Sequence, residues 1–273
     1  MLGGIYVYIC RMEKLLPFSK YQGTGNDFVM IDNRLGIFPK ENQALVARLC
    51  HRKFGVGADG LILIENHDVQ DFSMVYYNAD GAPSTMCGNG GRCLVAFARQ
   101  LGIIKNSASF MAVDGVHLAT IADERVQLQM KDVAEVHALD GAFFLDTGSP
   151  HHVAMVDSVQ NLDVAELGAS IRYGIYGDVG ANVNFVSPRA DGTFFVRTYE
   201  RGVEGETLSC GTGVTAAAIA MNFADKTEGS SIDIQTLGGD LQVRFERTAH
   251  GYQQVYLIGP AVHVFDGTTT IHD

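Results

Sequence analysis

The sequence predicts an α+β fold made of two homologous lobes related by pseudo-twofold symmetry. The first observation is an internal repeat, because five short blocks recur at one constant spacing of 123 residues. The second is that each copy combines two helical patterns with many short strand patterns, which favours α+β over a doubly wound sheet. The recurring blocks are Thr24-Gly25 with Thr147-Gly148, Gly57-Ala58-Asp59 with Gly180-Ala181-Asn182, Phe72 and Tyr76 with Phe195 and Tyr199, Cys87-Gly88-Asn89-Gly90 with Cys210-Gly211-Thr212-Gly213, and Gly115 and Leu118 with Gly238 and Leu241.

The first copy alternates apolar segments with turn signals. One helix is predicted near 41–53, where four apolar residues share a face, and a second follows Cys87 and stops at Gly102. The pair Asp114-Gly115 lies between two apolar segments and indicates a hairpin. The predicted strands are 28–31, 61–64, 72–77, 111–113, 116–121 and an alternating segment through 126–130.

The second copy repeats this plan. Its first helix is expected to begin at Asp163, an N-cap with Glu166 three residues later. Its second helix follows Cys210 and is so rich in Ala, Ile and Met that it should be deeply buried. Strands are predicted at 194–199, 232–236, 241–245 and 255–258.

The connection at 131–141 is the predicted boundary between the lobes. The N-terminal lobe then spans 12–131 and carries Cys87, and the C-terminal lobe spans 132–258 and carries Cys210. Residues 259–273 form a C-terminal strand that can return to the N-terminal lobe. Residues 1–11 are interpreted as an extension rather than a signal peptide, since no positive charge precedes the short apolar stretch.

Composition excludes several classes of function. Of the 273 residues, 47% are hydrophobic and 19% charged, which is typical of a globular protein. A net charge of −11 argues against a nucleic-acid partner, and the lack of any apolar stretch of about 18 residues argues against a membrane span. The odd count of five cysteines favours free thiols in a reducing cytoplasm over a disulfide framework.

Two of the cysteines, Cys87 and Cys210, begin a Cys-Gly-x-Gly block that leads into a helix. The first N–H groups of a helix bind anions, and the helix dipole should lower the pKa of a thiol placed there. Such a thiol can remove or deliver a proton near neutral pH. A symmetric pair of these groups on opposite faces of one carbon is what stereoinversion requires, with no metal or other cofactor.

Other interpretations of the cysteines stay open at this point. Cys-Gly-Asn-Gly is also compatible with a glycine-rich turn that holds a buried thiol, and opposed thiols could form a disulfide. The spacing of Cys87 and Cys93 fits neither a redox Cys-x-x-Cys motif nor a zinc site, so no metal is expected. No Gly-Lys-Ser/Thr sequence follows a glycine cluster, which argues against a nucleotide phosphate loop.

Three motifs stand out in the chain: Lys20 to Phe28 (KYQGTGNDF), Asn78 to Gly81 with Met86 to Cys93 (NADG and MCGNGGRC), and Tyr199 to Gly213 (YERGVEGETLSCGTG). They resemble those of diaminopimelate epimerases, in the cofactor-independent amino acid racemase superfamily. The resemblance runs from about Pro17 to Phe265. The related proline racemases carry His where Asn89 stands, and the phenazine-type isomerases lack the cysteine pair; both differences favour the diaminopimelate branch.

This resemblance implies that each lobe is a mostly antiparallel β-sheet curled around a central helix, with the active site in the cleft between the lobes. It implies two catalytic bases, Cys87 and Cys210, tuned by His151 and Glu200, and no cofactor. Family members are often homodimers, so a homodimer is expected here, although no interface can be read from the sequence. The implied substrate contacts are Asn26, Asn78, Gly88, Asn89, Asn182, Glu200, Arg201, Gly211 and Thr212.

The chain departs from the family pattern at three places. Ser149 stands where many members have Asn, and Gly60 stands where many have Gln. One residue is inserted between Gly202 and Gly205, in a loop that should not move Cys210. The first two positions often contact substrate, so a neighbouring group, the backbone or a water is expected to take over each contact.

Three functions are therefore weighed. The favoured one is an epimerase that interconverts LL- and meso-diaminopimelate in lysine and peptidoglycan precursor biosynthesis in the cytoplasm. The second is a racemase for another amino acid, admitted by Ser149 and Gly60. The third is a thiol redox or binding module in which Cys87 and Cys210 sense oxidants, which predicts no solvent deuterium in any amino acid.

Overall fold

The structure, a computed structural model, describes residues 14–271. The expected extension at 1–11 lies outside the described residues. Within them the helices are α1 (Gln43–Cys50), α2 (Gly88–Gln100), α3 (Val164–Tyr176) and α4 (Gly211–Phe223). The strands are β1 (Lys14–Gly23), β2 (Asn26–Asp32), β3 (Gly60–Glu65), β4 (Phe72–Asn78), β5 (Ser107–Ala112), β6 (Gly115–Ala122), β7 (Arg125–Gln129), β8 (His137–Leu139), β9 (Ala142–Asp146), β10 (Pro150–Met155), β11 (Asn182–Pro188), β12 (Phe194–Glu200), β13 (Gly205–Thr207), β14 (Ser231–Thr236), β15 (Gly239–Thr248), β16 (Gly251–Pro260) and β17 (Val262–Ile271).

Each lobe curls a sheet around one buried helix. In the first lobe α2 is central, and its residues Cys93, Leu94 and Val95 have no solvent exposure. In the second lobe α4 is central, and its residues from Val214 to Met221 are fully buried, as the Ala-rich sequence predicted. The predicted α+β class with two curled lobes is therefore confirmed.

Two smaller hydrophobic cores lie on the outer faces of the sheets, beneath helices α1 and α3. Helix α1 packs Leu45, Val46 and Leu49 against apolar residues of β2 and β3. Helix α3 covers an apolar cluster that includes Val183 and Tyr199. Helices α1 and α3 do not cover the ends of the sheets where α2 and α4 begin, so polar side chains can occupy those ends.

The two lobes share one continuous network of strands. Strand β16 pairs with β15 of the second lobe and with β7 of the first. Strand β17 then pairs with β1 along its length, from Lys14 opposite Ile271 to Gln22 opposite Val262. The last strand of the chain therefore lies in the sheet of the first lobe, and both lobes are held against each other by backbone hydrogen bonds.

Local sequence signals predicted most of the helices and strands. The remaining strands form through pairing with distant segments of the chain. Helix α3 begins after Asp163, whose Oδ1 accepts a hydrogen bond from the Glu166 N–H at 3.0 Å, as predicted. Helix α1 is shorter than the predicted 41–53, because Asn42 caps its start and His51 has extended backbone. Strands β1, β8, β9, β10, β11 and β13 carried no strand prediction, whereas β17 lies within the C-terminal strand predicted at 259–273.

The constant spacing of the repeat holds at the helices and fails in two places. Leu61 pairs with Tyr77 in the first lobe, and Val183 pairs with Tyr199 in the second. Tyr77 is therefore the counterpart of Tyr199, and the sequence match of Tyr76 with Tyr199 was wrong. Since adjacent residues of a strand point to opposite faces, this single-residue difference changes which side chain faces the central helix.

The match of Leu118 with Leu241 was also wrong, because Leu118 is half exposed and Leu241 is buried. The first of these shifts makes Phe194 the counterpart of Phe72 and Asn182 the counterpart of Gly60, so the matches of Phe72 with Phe195 and of Asp59 with Asn182 were wrong. The second shift makes Gly239, and not Gly238, the counterpart of Gly115. The turns that close the two hairpins follow Ala112 and Thr236. Equivalent residues are 122 apart at β4 and β12, 123 apart at the starts of α2 and α4, and 124 apart at β6 and β15. Single-residue insertions in loops account for the drift.

Candidate active site

Two helix N-termini meet between the lobes. Cys87 and Cys210 are the N-cap residues of α2 and α4, with φ and ψ of −112° and 123° in one and −112° and 113° in the other. A Cβ atom built on Gly211 would lie 3.4 Å from the Gly88 Cα and 2.8 Å from the Leu257 Cδ2. The absence of a side chain at both glycines thus lets the two helix ends approach closely.

Each thiol lies against the amide groups of its own helix. The Cys87 Sγ is hydrogen-bonded by the backbone N–H groups of Asn89 and Gly90, and it lies 3.7 Å from the Asn26 Oδ1. The Cys210 Sγ lies 3.4 Å from the Thr212 Oγ1 and contacts the Gly213 N–H. Both cysteines are thus where the sequence placed them, at the anion-binding ends of helices.

The expected lowering of the thiol pKa is wrong for the site as it stands. Burial raises the pKa of Cys87 from 9.0 to about 11, although the amide hydrogen bonds act in the opposite direction. Burial also raises the pKa of Cys210, and the charge of Cys87 adds to that shift. Loss of hydration outweighs the helix amides, so burial favours the protonated form of both thiols.

Glu200, at the end of β12, is an acidic residue whose charge affects the pKa of both thiols. Burial raises the pKa of its carboxyl. Its negative charge in turn raises the pKa of Cys87 and of Cys210. The charge of Glu200 therefore acts on both thiols, and a positively charged ammonium near it would offset that charge.

His151 is fully buried on β10 and is held by asparagines rather than by a thiol. The Asn184 side-chain N–H donates to the His151 Nδ1 at 3.1 Å and to the His152 carbonyl at 3.0 Å, while the Asn184 Oδ1 accepts from the Thr198 hydroxyl. These bonds orient the Asn184 amide so that its N–H faces the His151 Nδ1, while the Asn182 Nδ2 lies 3.5 Å from the His151 Nε2. Burial lowers the pKa of His151 from 6.5 to about 3, which keeps the ring neutral.

Arg201, Asn182 and Ser149 form a second polar group in the same lobe. The Asn182 Oδ1 accepts from the Arg201 backbone N–H at 2.9 Å, and its Nδ2 donates to the Ser149 Oγ at 3.0 Å. The Arg201 Nη1 donates to the Val179 carbonyl at 2.9 Å, and its Nη2 lies 3.5 Å from the Ser149 Oγ. Ser149 thus takes part in the predicted site through its hydroxyl.

Asn26 and Asn89 form the corresponding group in the first lobe and reach across to the second. The Asn26 Nδ2 donates to the Asp59 carboxylate at 2.7 Å, and its Oδ1 accepts from the Asn89 Nδ2 at 3.3 Å. The same Asn89 Nδ2 donates to the Ser209 carbonyl at 2.9 Å. Thr24 adds a second bond between the lobes, from its hydroxyl to the Ser209 Oγ at 3.0 Å.

Asp59 belongs to a cluster of ion pairs. Arg52 donates to Asp27 and Asp59 at 2.8 and 2.7 Å, and Lys20 lies 2.7 Å from Asp27. Although burial opposes it, these bonds lower the pKa of Asp27 to about 2. The carboxylate that holds Asn26 is therefore anchored to a cluster that stays ionised over the physiological pH range.

Of the predicted residues, Asn78 is the one whose side chain remains exposed without a hydrogen bond within residues 14–271; it ends β4, opposite Gly60. Sequence reasoning did not single out Asn184 or Asp59. Both had a signal: Asn184 lies two residues after Asn182 on the same face of a buried strand, and Asp59 belongs to the repeated block. Ser209 had no such signal, because its role comes from contact with the other lobe.

Comparison with known proteins agrees with this arrangement. The family model described as diaminopimelate epimerase matches residues 18–136 and 143–264. The chain belongs to the diaminopimelate epimerase family. It is 58% identical over 255 residues to the diaminopimelate epimerase of Flavobacterium psychrophilum, with 93% of this chain and 100% of that protein covered. It is 42% identical to that of Chlorobaculum tepidum, covering 91% and 99% of the two chains.

Solved structures with low sequence identity share the fold of this diaminopimelate epimerase family member. A phenazine biosynthesis protein of the PhzF family from Bacillus anthracis has a TM-score of 0.77 at 16% identity, covering 94% of this chain and 100% of that one. A hydroxyproline epimerase from Agrobacterium vitis has a TM-score of 0.69 at 14% identity, covering 97% and 95%. The predicted family and the predicted class of enzyme, an amino acid epimerase of the isomerases, are confirmed.

Across residues 14–271 no helix is long and apolar enough to cross a bilayer. In the same residues no group of three or more His, Cys, Asp and Glu side chains could hold a metal ion.

Proposed function

We propose that this protein interconverts LL-2,6-diaminopimelate and meso-diaminopimelate by a two-base reaction at one α-carbon. The observation that carries the proposal is the meeting of two equivalent helix N-termini, each capped by a cysteine thiol. The name carried by its relatives, diaminopimelate epimerase, supports diaminopimelate as the substrate.

In this reaction Cys87 and Cys210 act from opposite faces of the α-carbon. The thiolate of one cysteine takes the α-proton and becomes a thiol, while the electron pair of the broken C–H bond moves into the adjacent carboxylate. The thiol of the other cysteine then donates its proton to the opposite face of the carbon and becomes a thiolate. The enzyme ends each turnover with the two protonation states exchanged, and the reverse reaction begins from that state.

The amide groups at the helix starts stabilise the charge that develops on the carboxylate. An amino acid α-proton is very weakly acidic, so the enolate-like intermediate needs strong hydrogen-bond donors. The first N–H groups of α2 and α4, at Gly88, Asn89, Gly211 and Thr212, have no carbonyl partner inside their helices, and the Asn89 N–H bonds the Cys87 Sγ. Two helix dipoles of the same sign favour the negative charge there.

Substrate binding also supplies the charge that ionises one thiol. The raised pKa values of both thiols reflect burial and the nearby carboxylate of Glu200. The ammonium group of the bound amino acid pairs with Glu200 and removes its repulsion. The base is thereby generated only in the complex, and His151, neutral and fixed by Asn184, serves as a hydrogen-bonding group rather than a charge.

The second amino acid end of the substrate binds away from the thiols. Arg201 is suited to the distal carboxylate because a guanidinium can donate two parallel hydrogen bonds. Asn26, Asn78 and Asn182 supply amide groups of both polarities for the distal ammonium and carboxylate. This set of residues would favour a substrate with two amino acid centres over a simple amino acid.

The decisive experiment measures solvent deuterium entering Cα of LL-diaminopimelate in D2O. Wild-type enzyme should form meso-diaminopimelate that carries deuterium, and Cys87→Ala and Cys210→Ala should both lose epimerisation. Cys50→Ala is the matched control, since Cys50 is a buried cysteine of α1 away from the two helix starts, and it should remain active. Full turnover by either active-site variant contradicts the two-base reaction.

Two alternatives are separated by the same assay. A racemase for another amino acid would exchange deuterium into that amino acid in a chirality panel and leave diaminopimelate unchanged. A thiol redox module would exchange deuterium into none of them. The four free cysteines within residues 14–271 fit a reducing compartment, which supports a cytoplasmic reaction on the lysine and peptidoglycan precursor pathway. The expected homodimer stays a prediction for analytical ultracentrifugation.

A further inference from the structure

The two lobes carry different residues at one equivalent position of the site. In the first lobe Phe28 on β2 pairs with Gly60 on β3, and in the second His151 on β10 pairs with Asn182 on β11, both in parallel register. Gly60 is therefore the counterpart of Asn182. The second lobe presents an amide side chain to the site at this position, and the first lobe presents none.

The space that Gly60 leaves is filled by Tyr76. A Cβ atom built on Gly60 would lie 2.5 Å from the Tyr76 Cε2 and 3.2 Å from its hydroxyl oxygen. Tyr76 pairs with Ile62 just as Thr198 pairs with Asn184, so the second lobe has a threonine where the first has this tyrosine. The hydroxyl of Thr198 is already used, because it donates to Asn184 at 2.9 Å.

The Tyr76 hydroxyl, by contrast, makes no hydrogen bond within residues 14–271. Its ring packs edge-on against Phe28, with centroids 6.0 Å apart. Burial raises the pKa of this hydroxyl, and the charges of Cys87, Glu200 and Asp59 raise it further. The phenol is therefore a neutral donor that lies among the groups of the proposed site and has no partner of its own.

We propose that Tyr76 is a substrate-binding residue whose hydroxyl donates a hydrogen bond to a carboxylate oxygen of the bound amino acid, at the position that Asn182 holds in the other lobe. This inference rests on the proposed function, because the carboxylate belongs to that substrate. Phenol is the suitable donor at this place: it reaches across the missing side chain of Gly60, and it stays protonated beside acidic neighbours.

The test compares Tyr76→Phe with Tyr77→Phe in the steady-state epimerisation of diaminopimelate. Tyr77 is the matched control, since it lies next in the strand on the opposite face and its hydroxyl donates to the Lys40 carbonyl at 3.2 Å. Loss of a hydrogen bond to a carboxylate should raise KM for Tyr76→Phe by about tenfold or more, with kcat within about threefold of wild type. Tyr77→Phe should leave both constants unchanged.

A thermal unfolding scan of both variants separates binding from folding. Tyr76→Phe should keep Tm within about 2 °C of wild type, because its hydroxyl stabilises no other group of the protein. A KM within twofold of wild type, a loss confined to kcat, or an equal rise in KM for Tyr77→Phe would each overturn the assignment. Wild-type enzyme that does not epimerise diaminopimelate refutes the proposed function itself, a result distinct from an active wild type with an unaffected Tyr76→Phe.

Discussion

His151 should make the protein lose stability in mild acid. Its ring is fully buried, and its Nδ1 accepts a hydrogen bond from an Asn184 amide whose orientation is set by two further bonds. Protonation would place an N–H against the N–H of Asn184 and would put a positive charge on a fully buried ring. Burial lowers the pKa of His151 from 6.5 to about 3 on folding.

The sign and size follow from proton linkage. A lowered pKa means that the folded protein binds fewer protons than the unfolded chain, so the contribution of His151 is fully present above pH 6.5 and is lost as pH falls toward 3. At pH 5 the loss should be about 2 kcal/mol relative to pH 7, and it should approach about 1.4 kcal/mol for each further pH unit.

His151→Phe is the perturbation of choice, because the first lobe has Phe28 at the equivalent position. Urea unfolding followed by circular dichroism at pH 7, 6 and 5 measures the free energy of unfolding. Stability of the variant should fall by about 2 kcal/mol less than that of wild type between pH 7 and pH 5. His250→Gln, at an exposed histidine, should keep the wild-type slope. A variant that declines as steeply as wild type refutes the assignment of a neutral, proton-excluding site to His151.

Three further outcomes are expected. Thiolate absorbance near 240 nm can be followed in the Cys210→Ala variant, with the Cys87→Ala/Cys210→Ala variant subtracted as the reference. The difference should titrate with a pKa of about 11, which belongs to Cys87. A midpoint at or below 8.5 would contradict the conclusion that burial outweighs the helix amides. Gly60→Ala should lower the free energy of unfolding by about 1–3 kcal/mol, since its Cβ would lie 2.7 Å from the Tyr77 carbonyl oxygen; unchanged urea unfolding would show that this contact relaxes freely. Gly174→Ala is the opposite case, because Gly174 lies exposed within α3 and no atom is within 4 Å of an added Cβ. The substitution should stabilise the protein by about 0.5–1 kcal/mol, and a lower Tm would contradict this.

The drift of the repeat spacing shows why residue matching by sequence has a limit. The blocks around Cys87 and Cys210 are rigid helix starts, and their spacing is exact. Between them, single insertions in loops cost little energy, so they accumulate without disturbing the fold. Because strand residues alternate between two faces, a shift of one residue exchanged Tyr77 for Tyr76 in the sequence match and concealed the equivalence of Gly60 and Asn182.

The sequence by itself determined the duplicated α+β plan, the family, and the placement of Cys87 and Cys210 at helix starts. These features are local: a cap residue, a glycine turn and an apolar period act within a few residues of chain, and the duplication repeats them. Helix starts at Asp163 and Cys210 were predictable for the same reason.

Tertiary structure alone decided the protonation of the site and the residues that line it. The pKa values of Cys87 and His151 depend on how completely distant segments exclude water, and no local pattern encodes that. The bond from Asn89 to Ser209 and the position of Tyr76 over Gly60 exist only because separate strands and lobes come together in one register. Desolvation and long-range register are properties of the packed chain, and they convert two ordinary cysteines into a matched acid–base pair in the proposed reaction.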